Sequence, residues 1–174
     1  DTLKIVFSLI ETSTTPLVLD TDALNCVAKQ PEILLRKKAP IIITPHPGEM
    51  SRLTGLATPL VNAERERVAL DFAQKYGVVT VLKGAGTVIA SPNGKVLVNP
   101  TGNSGMATGG SGDVLAGMTA SILAQGASAF SSAAAAVYLH GLAGDIAAEK
   151  YGKISMLPTD LINCIPLAYK RCGF

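Results

Sequence analysis

The sequence predicts an α/β fold, a mostly parallel sheet covered by helices and carrying one β-hairpin. Three observations lead there. Short apolar runs at Leu17–Asp20, Ile41–Thr44 and Val78–Leu82 lack polar alternation, as strands covered on both faces do. The segments between them have helical length and patterning, and a strand–helix–strand–helix–strand order is that of parallel units joined by crossovers. Finally, a loop with six glycines between Gly102 and Gly117 runs into the apolar, alanine-containing stretch Val114–Gln125, which reads as a loop feeding a helix.

Taken in order, Leu3–Ile10 is mostly apolar and predicts a short helix packed on the sheet, followed by a polar loop over Glu11–Thr15. Pro16 leads into the first strand, which ends in Asp20. Ala23–Lys38 has helical periodicity interrupted by Pro31, a residue suited to starting a second helix, and Asp22 is the expected cap of the first. The second strand stops at Pro45-His46-Pro47-Gly48, which predicts a turn. Asn62–Tyr76 mixes charges with Val68, Ala69, Phe72 and Ala73 as an amphipathic helix does, and Gly77 closes it. After the third strand, Thr87–Ala90 and Lys95–Val98 form the hairpin, joined through Ser91-Pro92-Asn93-Gly94. From Val114 onward the chain reads as helix, with breaks at Gly126 and near Gly152 and a last helix from about Thr159.

A chain of 174 residues, 48% of them hydrophobic, suits one domain over residues 1–174 with a substantial core. Fifteen basic and thirteen acidic residues leave a formal charge of +2, which gives no electrostatic case for nucleic acid or an anionic membrane. Cys26, Cys164 and Cys172 are odd in number and widely spaced, against a disulfide framework or a zinc site and in keeping with a reducing cytoplasm. Ala127–Ala148 carries Ser128, Ser131, Ser132, His140 and Asp145, so it reads as a buried helix rather than a membrane span. No signal peptide is visible, and the chain opens at Asp1 without Met.

Gly109, Gly110 and Gly112 allow backbone angles that converge N–H groups on one point, and a helix start adds unpaired donors and the positive end of its dipole. The expected guest is a phosphate. A plainer reading has Ser111 or Asp113 simply capping the helix. No Gly-Lys-Ser/Thr follows, so this is not a P-loop. In a parallel sheet ligands gather beyond the carboxyl ends of the strands, and Asp20, His46, Glu49 and Lys83 all follow predicted strand ends. Asp113 is placed to accept a proton from a substrate hydroxyl while the N–H groups hold a phosphoryl group. Lys83 supplies a cation along the path of the phosphates, or is a surface lysine at a hairpin. His46, rigid between two prolines, either hydrogen-bonds a substrate or stabilises its turn. His140 and Asp145 read as parts of a helix, with the histidine in the core and its hydrogen bond satisfied.

The run GMATGGSGDVLAG, with PHPGEM at Pro45–Met50, LKGAGT at Leu82–Thr87, LDTDALN at Leu19–Asn25 and YLHGLAGD at Tyr138–Asp145, resembles the ADP/ATP-dependent NAD(P)H-hydrate dehydratases of the ribokinase-like superfamily. The five motifs occur in the family's order across nearly the whole chain. The resemblance implies a ribokinase-like fold, ADP or ATP and Mg2+ as cofactors, hydrated NADH or NADPH as substrate, and a homo-oligomer, commonly a tetramer. It makes Asp113 the catalytic Asp, Lys83, Gly84, Ala85, Gly86 and Thr87 with Gly109, Gly110 and Gly112 the nucleotide contacts, and His46 with Asp113 the hydrate contacts. Glu49 matches the acidic end of the superfamily's Asn-x-x-Glu element, with His46 in place of the Asn, which implies magnesium held through water; Asp20 is a second candidate for the metal.

The family's domain has a sizeable portion before the LDTDALN strand, whereas only Asp1–Thr15 precede Pro16 here, so the chain corresponds to the C-terminal portion of that domain. Strands apolar on both faces then lead us to expect a preceding segment of the same gene product, or a bound partner, as their neighbour. Two other readings share the pattern: a small-alcohol kinase of the hydroxymethylpyrimidine or thiazole type, and a non-catalytic nucleotide-binding fragment.

Overall fold

The computed structural model describes residues 2–174. Its centre is a five-stranded sheet in the order β1 (Leu17–Leu19), β2 (Ile41–Ile43), β3 (Val79–Leu82), β4 (Val88–Ala90) and β5 (Val96–Val98). The first three strands are parallel, with Leu17, Val18 and Leu19 opposite Ile41, Ile42 and Ile43, and Ile42 and Ile43 opposite Val79 and Thr80. The last three form an antiparallel meander, as the Asn-Gly turn predicts: Gly94 takes φ +91° and donates to Ser91 O at 3.1 Å.

Strand side chains alternate between two apolar layers. Ile41, Ile43, Leu82, Val88 and Ala90 face one core. Ile42, Val79, Val81 and Ile89 face the other. The first core is covered by α1 (Thr2–Thr12), α2 (Asp22–Val27), a 3₁₀ helix at Pro31–Arg36, α3 (Pro47–Thr54), α4 (Thr58–Ala63) and α5 (Arg65–Tyr76). The second lies under α6 (Ser111–Ala124), α7 (Ala129–Tyr151) and α8 (Pro158–Arg171). Both crossovers, β1 to β2 and β2 to β3, run over the same face, as a constant hand requires when successive strands advance in one direction.

Several expectations need correction. The Pro45–Gly48 turn is the entry to α3, because Pro47 occupies the first helical turn, where its missing N–H is no loss. The short α4, with Pro59 near its start, is likewise invisible to a reading that takes proline as a breaker. Helix α1 joins the first core through Ile10, as expected, but it also packs on α2 and the 3₁₀ helix and leaves Ile5 and Leu9 exposed. Asp22 does not cap α2; Thr21 holds that position, and no side chain completes the cap. The second segment after Pro31 is a 3₁₀ turn rather than an α-helix. All three cysteines are free, and among the described residues no helix is long and apolar enough to cross a membrane.

Candidate active site

The parallel strands end on one edge, and backbone bonds stitch those ends together. Thr44 N–H donates to Leu19 O at 3.2 Å, and Lys83 N–H donates to Pro45 O at 2.8 Å. Asp20, the Pro45–Gly48 corner and Lys83 are thereby held side by side.

Residues 63 positions apart in the sequence meet there: Lys83 Nζ donates to Asp20 Oδ1 at 2.8 Å. Glu49 Oε2 lies 3.9 Å from the same nitrogen. Both carboxylates are largely buried, and with Lys83 their formal charges sum to one negative. Lys83 is therefore neither a surface lysine nor a free cation; it separates two carboxylates. Asp20 Oδ2 faces the glycine loop, since a Cβ built on Gly112 would lie 4.0 Å from that oxygen and 3.5 Å from Lys83 Nζ. A side chain at Gly112 would fill the space between the cluster and α6.

His46 caps α3. Its Nδ1 accepts from Gly48 N–H at 3.0 Å and from Glu49 N–H at 3.3 Å, while Glu49 Oε2 accepts from His46 N–H at 2.7 Å. This is a capping box with histidine in the role usually taken by Ser or Thr. Because Nδ1 accepts, the proton sits on Nε2, 3.5 Å from Glu49 Oε1. The ring is half exposed, so it stabilises its corner and still presents an N–H outward.

Gly110, at φ +96°, begins α6, and neither Ser111 nor Asp113 caps it. The plainer reading of the glycine loop thus fails. Ser111 N–H donates to Thr108 O at 3.3 Å, no side chain takes the other first-turn donors, and the buried Ser111 Oγ has no partner among the described residues. A Cβ at Gly109 would meet nothing within 4 Å, so the loop is open on that side. Asp113 is exposed in the first turn. An apolar groove of about 390 Å³ starts just beyond it, lined by Val114, Gly117, Met118, Ile162, Ile165 and Tyr169. A larger groove, of about 510 Å³, lies between the 3₁₀ helix, α3 and α5 and shares none of these residues.

Two features escaped sequence reading. Helix α7 carries the segment before the glycine loop: Asp145 accepts from Gly102 N–H at 2.8 Å and Asn103 Nδ2 at 3.0 Å, and Gly141 and Gly144 let Thr101 and Met106 press onto the helix. His140, buried as expected, has Nε2 2.9 Å from Ser111 O, and burial pushes its pKa down to about 4. The neutral ring therefore donates to that carbonyl. The second feature is Arg65, whose Nη2 donates to Leu82 O at 2.8 Å and to Gly86 O at 3.4 Å, beneath Lys83–Thr87. A charged helix start of this kind reads as solvated, and only the tertiary contact reveals it.

The open glycine loop, the helix start and the orphaned Ser111 hydroxyl fit a phosphate chain. For a metal, no group of three or more His, Cys, Asp or Glu gathers among the described residues. Asp20 and Glu49 alone fit an ion that brings water and phosphate oxygens with it, as magnesium does.

A family model described as NAD(P)H-hydrate dehydratase matches residues 1–167. The bifunctional NAD(P)H-hydrate repair enzyme of Moorella thermoacetica is 44% identical over 98% of this chain, which covers 32% of that enzyme. The solved ADP/ATP-dependent NAD(P)H-hydrate dehydratase of Bacillus subtilis, co-crystallised with ATP and Mg2+, superposes with a TM-score of 0.84 at 36% identity, over 93% of this chain and 57% of that one. A ribokinase-like superfamily protein of Enterococcus faecalis gives a TM-score of 0.82 at 31% identity, over 97% of this chain and 58% of that one. The chain thus spans about a third of the bifunctional relative and somewhat over half of the solved structures.

Proposed function

The chain belongs to the NAD(P)H-hydrate dehydratase family, and from that premise we propose that it serves the nucleotide-dependent dehydration of hydrated NADH or NADPH, with ADP or ATP as phosphoryl donor. One observation carries the reading from family to site. Asp20, Glu49 and Lys83 adjoin Gly112 at the open start of α6, so a carboxylate pair, a cation and an anion-binding backbone share one edge.

Hydroxide is a poor leaving group and phosphate a good one. The hydrate's hydroxyl oxygen attacks the terminal phosphorus, its proton passes to Asp113, and the shortened nucleotide departs. The ring nitrogen's lone pair then expels the phosphate with its bonding electrons, and loss of a proton from the adjacent ring carbon restores the double bond. Backbone N–H groups of Gly109, Gly110 and Gly112 bind the transferring group, where developing charge is best stabilised by fixed dipoles. In this proposal Lys83–Thr87 line the nucleotide, and His46 offers Nε2–H to the hydrate. Asp20 and Glu49 would be the residues to hold magnesium, and Lys83 keeps the two carboxylates apart. The ion, when bound, neutralises phosphate charge.

The test is to supply hydrated NADH or NADPH with ADP or ATP and follow dihydronicotinamide absorbance and inorganic phosphate together. The expected result is one phosphate released per dihydronicotinamide restored. Accumulation of a phosphorylated alcohol would instead make the protein a kinase, and nucleotide binding without turnover a binding fragment.

A further inference from the structure

Arg65 opens α5, yet its side chain ends beneath a different element. Nη2 donates to Leu82 O at 2.8 Å, where β3 stops, and to Gly86 O at 3.4 Å, four residues on. The two carbonyls mark the two ends of the Leu82–Gly86 loop, so one planar group spans it from below. Other bonds close the loop: Lys83 N–H donates to Pro45 O at 2.8 Å and Thr87 Oγ1 donates to Gly84 O at 3.0 Å. Gly84 fits this arrangement twice over. Its φ of +146° suits only glycine, and a Cβ there would overlap the guanidinium.

The pairing is unusual in its chemistry. A half-buried arginine normally meets a carboxylate, but among the described residues Arg65 forms no ion pair, and its recorded partners are carbonyl oxygens. Both bonds come from one nitrogen, Nη2, whose two N–H groups serve one carbonyl each. We propose that Arg65 is a positioning residue for nucleotide binding, fixing the Lys83–Thr87 loop from behind through the carbonyls of Leu82 and Gly86 while its unpaired charge favours the polyanion in front. This rests on the reading that the loop binds nucleotide.

The experiment compares wild type, Arg65→Lys and Arg65→Met in Mg2+–ADP affinity, in KM for nucleotide and for hydrate, and in hydrogen exchange of residues 83–87 against that of β2 and β3. Arg65→Met is expected to weaken ADP binding about 10- to 100-fold, the scale of a lost hydrogen bond to a charged group. Exchange should rise in the loop alone, and KM for hydrate should hold. Arg65→Lys is expected to fall between the two, and it carries the test alone if Arg65→Met does not fold. ADP binding by both variants equal to that of a wild type that does bind ADP would overturn the role of Arg65 and leave the nucleotide reading intact. Losses shared equally by both substrates, with exchange raised in the core strands, would make Arg65 a general structural residue and also overturn it. A wild type that binds no ADP would overturn the nucleotide reading first, and this inference with it.

Discussion

Asp113 sits exposed in the first turn of α6 and makes no recorded hydrogen bond or ion pair, so the fold does not depend on its carboxylate. Asp113→Ala should therefore leave the melting temperature and ADP affinity nearly unchanged while turnover falls about 10²- to 10⁴-fold, the scale of one acid–base group. Unchanged turnover would remove it from the mechanism. Next to Asp20, Thr21 is the only non-glycine residue with positive φ among those described, at +48°. A β-branched residue there is strained, by about 1–3 kcal/mol for a sparsely populated conformation. Thr21→Gly should thus stabilise the protein to urea, whereas a loss would show that the conformation is not strained. Position after a strand end made Asp20, His46, Glu49 and Lys83 legible as candidates. Their partners were not legible, because strand ends define an edge but say nothing of which side chains pair across it. Thus the Lys83–Asp20 bond, and the cap that His46 forms with Glu49, emerge only from the structure.

Helix α7 seats the Thr101–Met106 segment through small residues and meets the start of α6 through one imidazole. The same substitution should have opposite signs at two helical glycines. A Cβ at Gly117 meets nothing within 4 Å, so Gly117→Ala should stabilise by about 0.5–1 kcal/mol. A Cβ at Gly141 would lie 2.8 Å from the backbone carbon of Thr101, so Gly141→Ala should destabilise by about 1–3 kcal/mol. Chemical denaturation measures both, and matching signs would contradict the described seat of the loop on α7. His140 adds a pH dependence. Burial lowers its folded pKa from 6.5 to about 4, so between those values the unfolded chain binds a proton that the folded chain refuses. Its contribution is complete above pH 6.5 and is lost as pH falls through that window, by about 2–3 kcal/mol at pH 4.5. His140→Asn should flatten the fall in stability between pH 7 and 4.5; an unchanged slope would show that the ring takes its proton in the folded state. Helices with strong apolar patterning were readable from sequence, whereas α3 and α4 were hidden because Pro47 and Pro59 occupy first turns.

At the scale of the molecule, three layers put every parallel strand end on one edge, with the start of α6 facing it. The layering was legible because Ile41, Ile42 and Ile43 have no polar alternation, as burial on both faces demands. Which helices cover which face was not, since strand composition is alike on both sides. The support beneath the glycine loop, from Asp145, and beneath Lys83–Thr87, from Arg65, lies in helices whose sequences look ordinary. In the proposed chemistry this edge joins phosphoryl transfer to elimination, so the oxygen of the substrate hydroxyl must leave in phosphate. The measurement is to supply NADH hydrate carrying ¹⁸O in its ring hydroxyl, with unlabelled ATP or ADP, and to analyse the released phosphate by mass spectrometry. The account predicts that the label appears in inorganic phosphate, in step with restored dihydronicotinamide and only while Asp113 is intact; restored dihydronicotinamide with the label in water would contradict it.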